Sequence, residues 1–176
     1  AQAPAADAPP LAALFDTAPA DAEVVWAVPT LRGFSDRIAT FAAETGLEQY
    51  APDLADALDG FKREMGLNEG LDDDGPLLVA VSGLATSLDA QLDDDPTNDD
   101  TPPRAVLLVP VSDYAAFVSA MNGDPAADTT AVTLHGSQGF ARKVPGYAVI
   151  AGTAEAAAAY APGAGGAALT EAVGPQ

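Results

Sequence analysis

Apolar and polar positions along this chain follow two rhythms, and the switch from one to the other marks out its elements. Residues 23–28, EVVWAV, are an apolar run too short for a helix and rich in β-branched side chains. They predict a first strand, ended by Pro29. Thr30 then offers a hydroxyl cap. Leu31, Phe34, Ile38 and Phe41 recur at spacings of three and four, the stripe of an amphipathic helix that Gly46 stops. Leu54, Leu58, Phe61 and Met65 form a second stripe, ended by Gly66. Arg37, Lys62 and Arg63 fall off both stripes and are expected in solvent. Trp26 is expected in the core, because the strand that carries it is apolar throughout. Gly75-Pro76 opens another strand, LLVAVSGL, running to Leu84.

The longest unbroken succession of signals is 104–161. The run 105–111, AVLLVPV, predicts a strand buried on both faces that loses its pairing at Pro110. Ser112 is expected to cap the next helix, with Asp113 in its first turn. Tyr114, Phe117, Val118 and Met121 form one face of that helix, and Asn122-Gly123 ends it. Val132 and Leu134 alternate with polar neighbours as a half-buried strand. Residues 136–139 read as a turn, Phe140, Arg142 and Val144 as a strand, and 147–151 as another beyond Pro145-Gly146. Gly152-Thr153 caps a last helix, 154–160. The whole predicts a single α+β domain over 23–161, ordered β-α-α-β and then β-α-β-β-α. Its sheet is expected to be largely antiparallel, with five or more strands and helices packed on one face. A weak echo links VVWAVPTLRGF (24–34) with VLLVPVSDYAAF (106–117). Residues 1–22 form an Ala/Pro-rich N-terminal tail, 86–103 an acidic loop, and 162–176 a C-terminal tail or the start of a further region.

Charge changes the picture more than apolar content does. The apolar share is 48%, but 40 of those residues are Ala, leaving enough large side chains for one compact core. Against 7 basic residues stand 26 acidic ones, a net charge of −19. Such a chain repels nucleic acid and anionic membranes, which excludes both as expected partners. The absence of Cys excludes disulfides, thiolate catalysis and Cys-ligated metal. No apolar run approaches the ~18–20 residues that span a membrane. The chain opens Ala1-Gln2-Ala3-Pro4, as a chain does after signal-peptide removal, so a secreted or cell-surface location is expected.

Three stretches carry a resemblance: PADAEVVWAVPTLRGFSDRI, then DGFKREMGLNEGLDDDGPLLVAVSGL, then RAVLLVPVSDYAAFVSAM leading to GYAVIAG. Over about residues 19–152 the chain resembles a group of exported bacterial proteins from planctomycete-like genomes. The shared marks are a strand-Pro-helix start, a GLD-DGP turn before a strand, and a VPV-DY-F element. The resemblance implies export and a cell-surface or extracellular role, and it carries no catalytic residue with it. Members of the group tend to be longer than this chain.

Candidate chemistry is sparse. Asp93, Asp95, Asp99 and Asp100, with Asp94 and Asn98 between them, supply the hard oxygens that Ca²⁺ takes. The spacing is not that of an EF-hand and Pro96 interrupts it, so a solvated acidic loop is the alternative. Asp72, Asp73 and Asp74, near Asn68 and Glu69, read as a polar turn before a strand. His135 precedes Gly136-Ser137-Gln138-Gly139, half of a nucleophile elbow, but a strand rather than a helix is predicted after it. Neither a phosphate loop nor a dinucleotide fingerprint is present, and the glycines of 163–166 read as a flexible stop. Trp26, Tyr50, Tyr114, Tyr147 and Tyr160 are the residues that could line a sugar or peptide groove. Arg142-Lys143 is expected to meet the acidic loop of a neighbouring copy.

These readings favour a non-enzymatic, exported structural or interaction protein, a subunit of an extracellular or cell-surface assembly. Self-association is expected through residues 1–22 and 163–176, with no small-molecule substrate. The alternative is a monomeric exported binding module, calcium-dependent through its acidic loops.

Overall fold

The computed structural model describes residues 15, 17–19, 21–65, 69–84, 103–134 and 136–161. Its centre is one six-stranded antiparallel sheet, built from β1 (Val24–Val28), β2 (Leu77–Ser82), β3 (Arg104–Pro110), β4 (Thr129–Leu134), β5 (Ser137–Val144) and β6 (Tyr147–Ala151). The strand order is β1-β2-β3-β6-β5-β4. Helices α1 (Leu31–Thr45) and α2 (Ala57–Met65) lie between β1 and β2, α3 (Tyr114–Ala120) between β3 and β4, and α4 (Ala154–Ala159) after β6. The α+β class and the antiparallel sheet are those the residue pattern predicts. The second half holds one strand more than the order β-α-β-β-α allows. Val144 pairs with Tyr147 across Pro145-Gly146, which folds β5 back on β6 as a two-residue hairpin with Gly146 at φ 76°.

Register divides the side chains cleanly. Leu78 faces Leu108 across β2 and β3, and Leu108 faces Val149 across β3 and β6, so these three meet on one side of the sheet. They join Ala18, Ala157 and Tyr160 in one buried cluster. The other side gathers Ala141, Ala148 and Ile150 beneath Tyr114, Phe117, Val118 and Met121 of α3, with Leu31 of α1 and Leu58 of α2 at its margin. Three helices therefore share one face, and α4 with Ala18 and Ala22 covers the other. The small side chains of α4 explain its place: Ala157 is fully buried, so the helix backbone sits close to the strands.

Local chemistry sets the element ends. Thr30 Oγ1 accepts from the Gly33 amide at 3.0 Å and opens α1, and Gly46 closes it at φ 72°. Asp113, not Ser112, caps α3, accepting from the amides of Ala115 and Ala116. Ser112 is occupied elsewhere: its hydroxyl donates to the Leu71 carbonyl at 3.2 Å. Pro110 does not end the pairing of β3, because it still sits opposite Tyr147 and its carbonyl accepts from the Asp72 amide. Ser137 pairs with Leu134, so Ser137–Gly139 belong to β5 rather than to a turn. The N-terminal segment is tied down at its inner end, where Tyr160 Oη donates to the Thr17 carbonyl at 2.6 Å and Arg104 meets Asp21 at 2.9 Å. The calcium candidates Asp93, Asp95, Asp99 and Asp100 lie outside the described residues, as do His135 and the tails 1–14 and 162–176.

Candidate functional site

Among the described residues the sheet ends in β1. Val25 and Ala27 turn toward the Leu78 side, which leaves Val24, Trp26 and Val28 on the side of α1. Trp26 is not a core residue: it remains 47% exposed. An edge strand has a neighbour on one side only, and α1 roofs it incompletely. Ala42 is the one buried residue of α1, while Phe34 and Phe41 of the predicted stripe are 40% and 58% exposed. Trp26 and Phe34 meet edge to face, 5.6 Å between ring centres at 79°.

Two hollows flank Phe34. The first, about 230 Å³, is walled by Trp26, Val28 and Pro29 from the strand and by Gly33, Phe34 and Arg37 from the helix. Among the described residues none of its lining comes from β2. The second, about 270 Å³, lies between α1, α2 and β2 and is lined by Leu31, Ile38, Leu58, Phe61 and Leu77. Phe61 is 48% exposed at its mouth. Together the two present an aromatic surface on one end of the molecule, of the kind that marks interaction sites.

A polar clasp holds the helices above this surface. Lys62 Nζ lies 3.0 Å from both carboxylate oxygens of Asp73. Arg32 reaches Asp73 at 3.2 Å and Asp74 at 3.0 Å, and the Asp74 carboxylate raises its guanidinium above the ordinary range. Lys62 is thus no solvent residue; its side chain is 18% exposed. The Asp72–Asp74 segment is the polar turn its composition predicts, closed by the Gly75 amide on the Asp72 carbonyl. Two of its three carboxylates are neutralised by cations, which leaves little for a metal. Among the described residues no group of three His, Cys, Asp or Glu is placed to hold one.

The other aromatic and basic candidates do not converge. Tyr50 is almost fully exposed, whereas Tyr114 and Tyr160 are buried in opposite clusters. Burial raises the pKa of both, and of Tyr147, where the Asp72 charge adds to it. The Tyr114 hydroxyl is buried without a hydrogen-bond partner among the described residues. Arg142 and Lys143 lie on alternate faces of β5 and form no shared patch. Arg142 donates to the carbonyls of Ala158 and Tyr160 at 2.7 and 2.9 Å, binding α4 to its own sheet. Lys143 stands 5.7 Å over the Tyr114 ring.

Arg37 is exposed as its place off the stripes predicts, whereas the exposure of Trp26, Phe34 and Phe61 was hidden in the sequence because each sits in a sound helical or strand pattern. The legible signal was the thinness of the α1 stripe, which leaves only four large apolar residues over fifteen positions. No family model, curated protein or solved structure matches the chain. The arrangement offers contact surface and shape; nothing in it pairs a nucleophile with a base.

Proposed function

We propose that this chain is an exported interaction protein, working at the cell surface or outside the cell, and that it acts by docking rather than by catalysis. The observation that carries this reading is the exposed aromatic end formed by Trp26, Phe34 and Phe61 beside β1, which among the described residues is an edge strand. Large apolar residues left in water cost free energy unless they are covered in use, at roughly 25 cal/mol per Å². The exported setting rests on the resemblance over about residues 19–152 and suits a strongly acidic chain. The partner is a component of an extracellular assembly.

The test uses light scattering and the emission of Trp26, the sole tryptophan, across a range of protein concentration and with candidate surface components added. Docking at this end moves Trp26 emission to shorter wavelength as water leaves the ring. An assembly that forms with Trp26 emission unchanged places the contact elsewhere and refutes the reading.

A further inference from the structure

The two edges of the sheet are treated differently. At the β4 edge the strand is Thr-rich, and the Thr133 amide is taken by the Met121 carbonyl at 2.9 Å. At the β1 edge the strand VVWAV contains no charge and no proline, and among the described residues β2 is its only strand neighbour. Alternate residues of such a strand send their amide and carbonyl groups to the open side. Natural edges of this kind are blunted or they are paired.

We propose that β1 receives an extended polypeptide segment as a seventh strand, which seats one large apolar side chain against Trp26 and Phe34 and places a carboxylate on Arg37. The inference rests on the docking reading above and names the partner's chemistry. The hollow beside β1 is smaller than the ~300–1,000 Å³ that a free small molecule occupies, so it suits one side chain of a segment whose main chain is held by the strand. Arg37 supplies the charge argument. In this chain acids outnumber bases 26 to 7; among the described residues Arg32, Lys62 and Arg104 find carboxylates, Arg142 and Lys143 are engaged by carbonyls and a ring, and Arg37 and Arg63 are left without one. Arg37 is exposed and has no carboxylate partner among the described residues, yet it lines the same hollow as Trp26 and Phe34. The net charge of −19 sets a limit: a polyacidic partner is repelled, so the segment is apolar and bears a single carboxylate at the cleft. That carboxylate is either a chain end or an Asp or Glu side chain, and the two differ in their response to amidation.

The probe is a pool of randomised octapeptides with free carboxyl ends, selected on the full chain and in parallel on Arg37→Gln, which alters one exposed side chain. The expected result is enrichment, on the wild type alone, of peptides with a large apolar residue beside a carboxylate. An enriched peptide then shifts Trp26 emission saturably. Amidating its end weakens binding about fivefold if the chain end is the contact, and Asp→Asn or Glu→Gln within it does so if a side chain is. Neither change matters on Arg37→Gln. Enrichment that is equal on Arg37→Gln, or independent of any carboxylate, overturns the proposal. A dimer of the chain itself that buries Trp26, with no peptide enriched, also overturns it while leaving the docking reading intact. No enrichment, no dimer and no change at Trp26 under any condition overturns both.

Discussion

Replacing Tyr160 by Phe should destabilise the protein near neutral pH and stabilise it in strong alkali. Tyr160 is buried at the end of α4, and its hydroxyl donates to the Thr17 carbonyl at 2.6 Å. Losing that bond costs about 1 kcal/mol. The hydroxyl also titrates abnormally. Burial pushes its pKa up to about 12 from an ordinary 10.0, against a Thr17 side-chain hydrogen bond that lowers it and with a smaller push from Tyr147. In the unfolded chain the phenol ionises above pH 10, whereas in the folded chain it keeps its proton. The unfolded state therefore binds fewer protons, and stability falls with rising pH. The contribution is whole below pH 10 and is lost as pH rises through 12, at about 1.4 kcal/mol per unit and so roughly 2–3 kcal/mol in all. Phe cannot ionise, so Tyr160→Phe escapes the loss. The wild type should be the more stable by about 1 kcal/mol at pH 8, and the order should reverse near pH 11. Urea unfolding of both proteins at half-unit steps from pH 8 to 11.5 measures it, and Tyr50 and Tyr114, carried by both proteins, cancel. A difference that stays constant across that range would refute the argument, since it would place the Tyr160 hydroxyl in water.

Three further outcomes follow from the same structure. Phe117→Ala empties the centre of the α3 cluster, where the ring is 1% exposed, and should cost about 3–5 kcal/mol in denaturant unfolding. Gly70→Ala should cost at least about 3 kcal/mol or stop folding, because Gly70 sits at φ 83° with the Asp113 carbonyl and the Phe117 amide where a Cβ would go; a thermal melt decides it. Lys62→Met removes the partner of the half-buried Asp73, leaving Arg32 as its only cation, and should cost about 1–3 kcal/mol; Asp73→Asn in the same background should recover part of that loss in a double-mutant cycle.

The fold was legible where local chemistry and tertiary need agree. The Thr30 cap, the Gly46 stop, the Thr153 cap and the Tyr114–Phe117–Val118–Met121 stripe stand where the pattern puts them, because each is fixed within one helical turn. Several of the failures come from partners distant in sequence. Ser112 looks like a cap and is drawn away by the Leu71 carbonyl, forty-one residues back. Lys62 looks like solvent and is held by Asp73. Arg142 looks like a surface charge and closes the end of α4. Trp26 looks like core, and only strand order reveals that its strand is an edge. Strand order is set by which faces find cover, and a one-dimensional pattern does not hold that information.

The two ends of the sheet are stabilised by different means, and this bears on why one of them can afford exposed rings. Around β3, β5 and β6 the helices are held by burial: Phe117, Val118, Met121 and Ala157 are all 1% exposed or less. Around β1 the helices are held by polar fastenings at one end. The Leu31 and Arg32 amides donate to the carbonyls of Gly75 and Asp73, Arg32 and Lys62 grip Asp73, and the Leu58 amide donates to Ser35 Oγ at 3.0 Å. These bonds fix the start of α1 against the turn before β2 without using its aromatic face. Position is set largely by directional bonds, and about half of the area of Phe34, Phe41 and Phe61 stays exposed after folding. An α1 held by its apolar stripe alone would have buried those rings against the sheet.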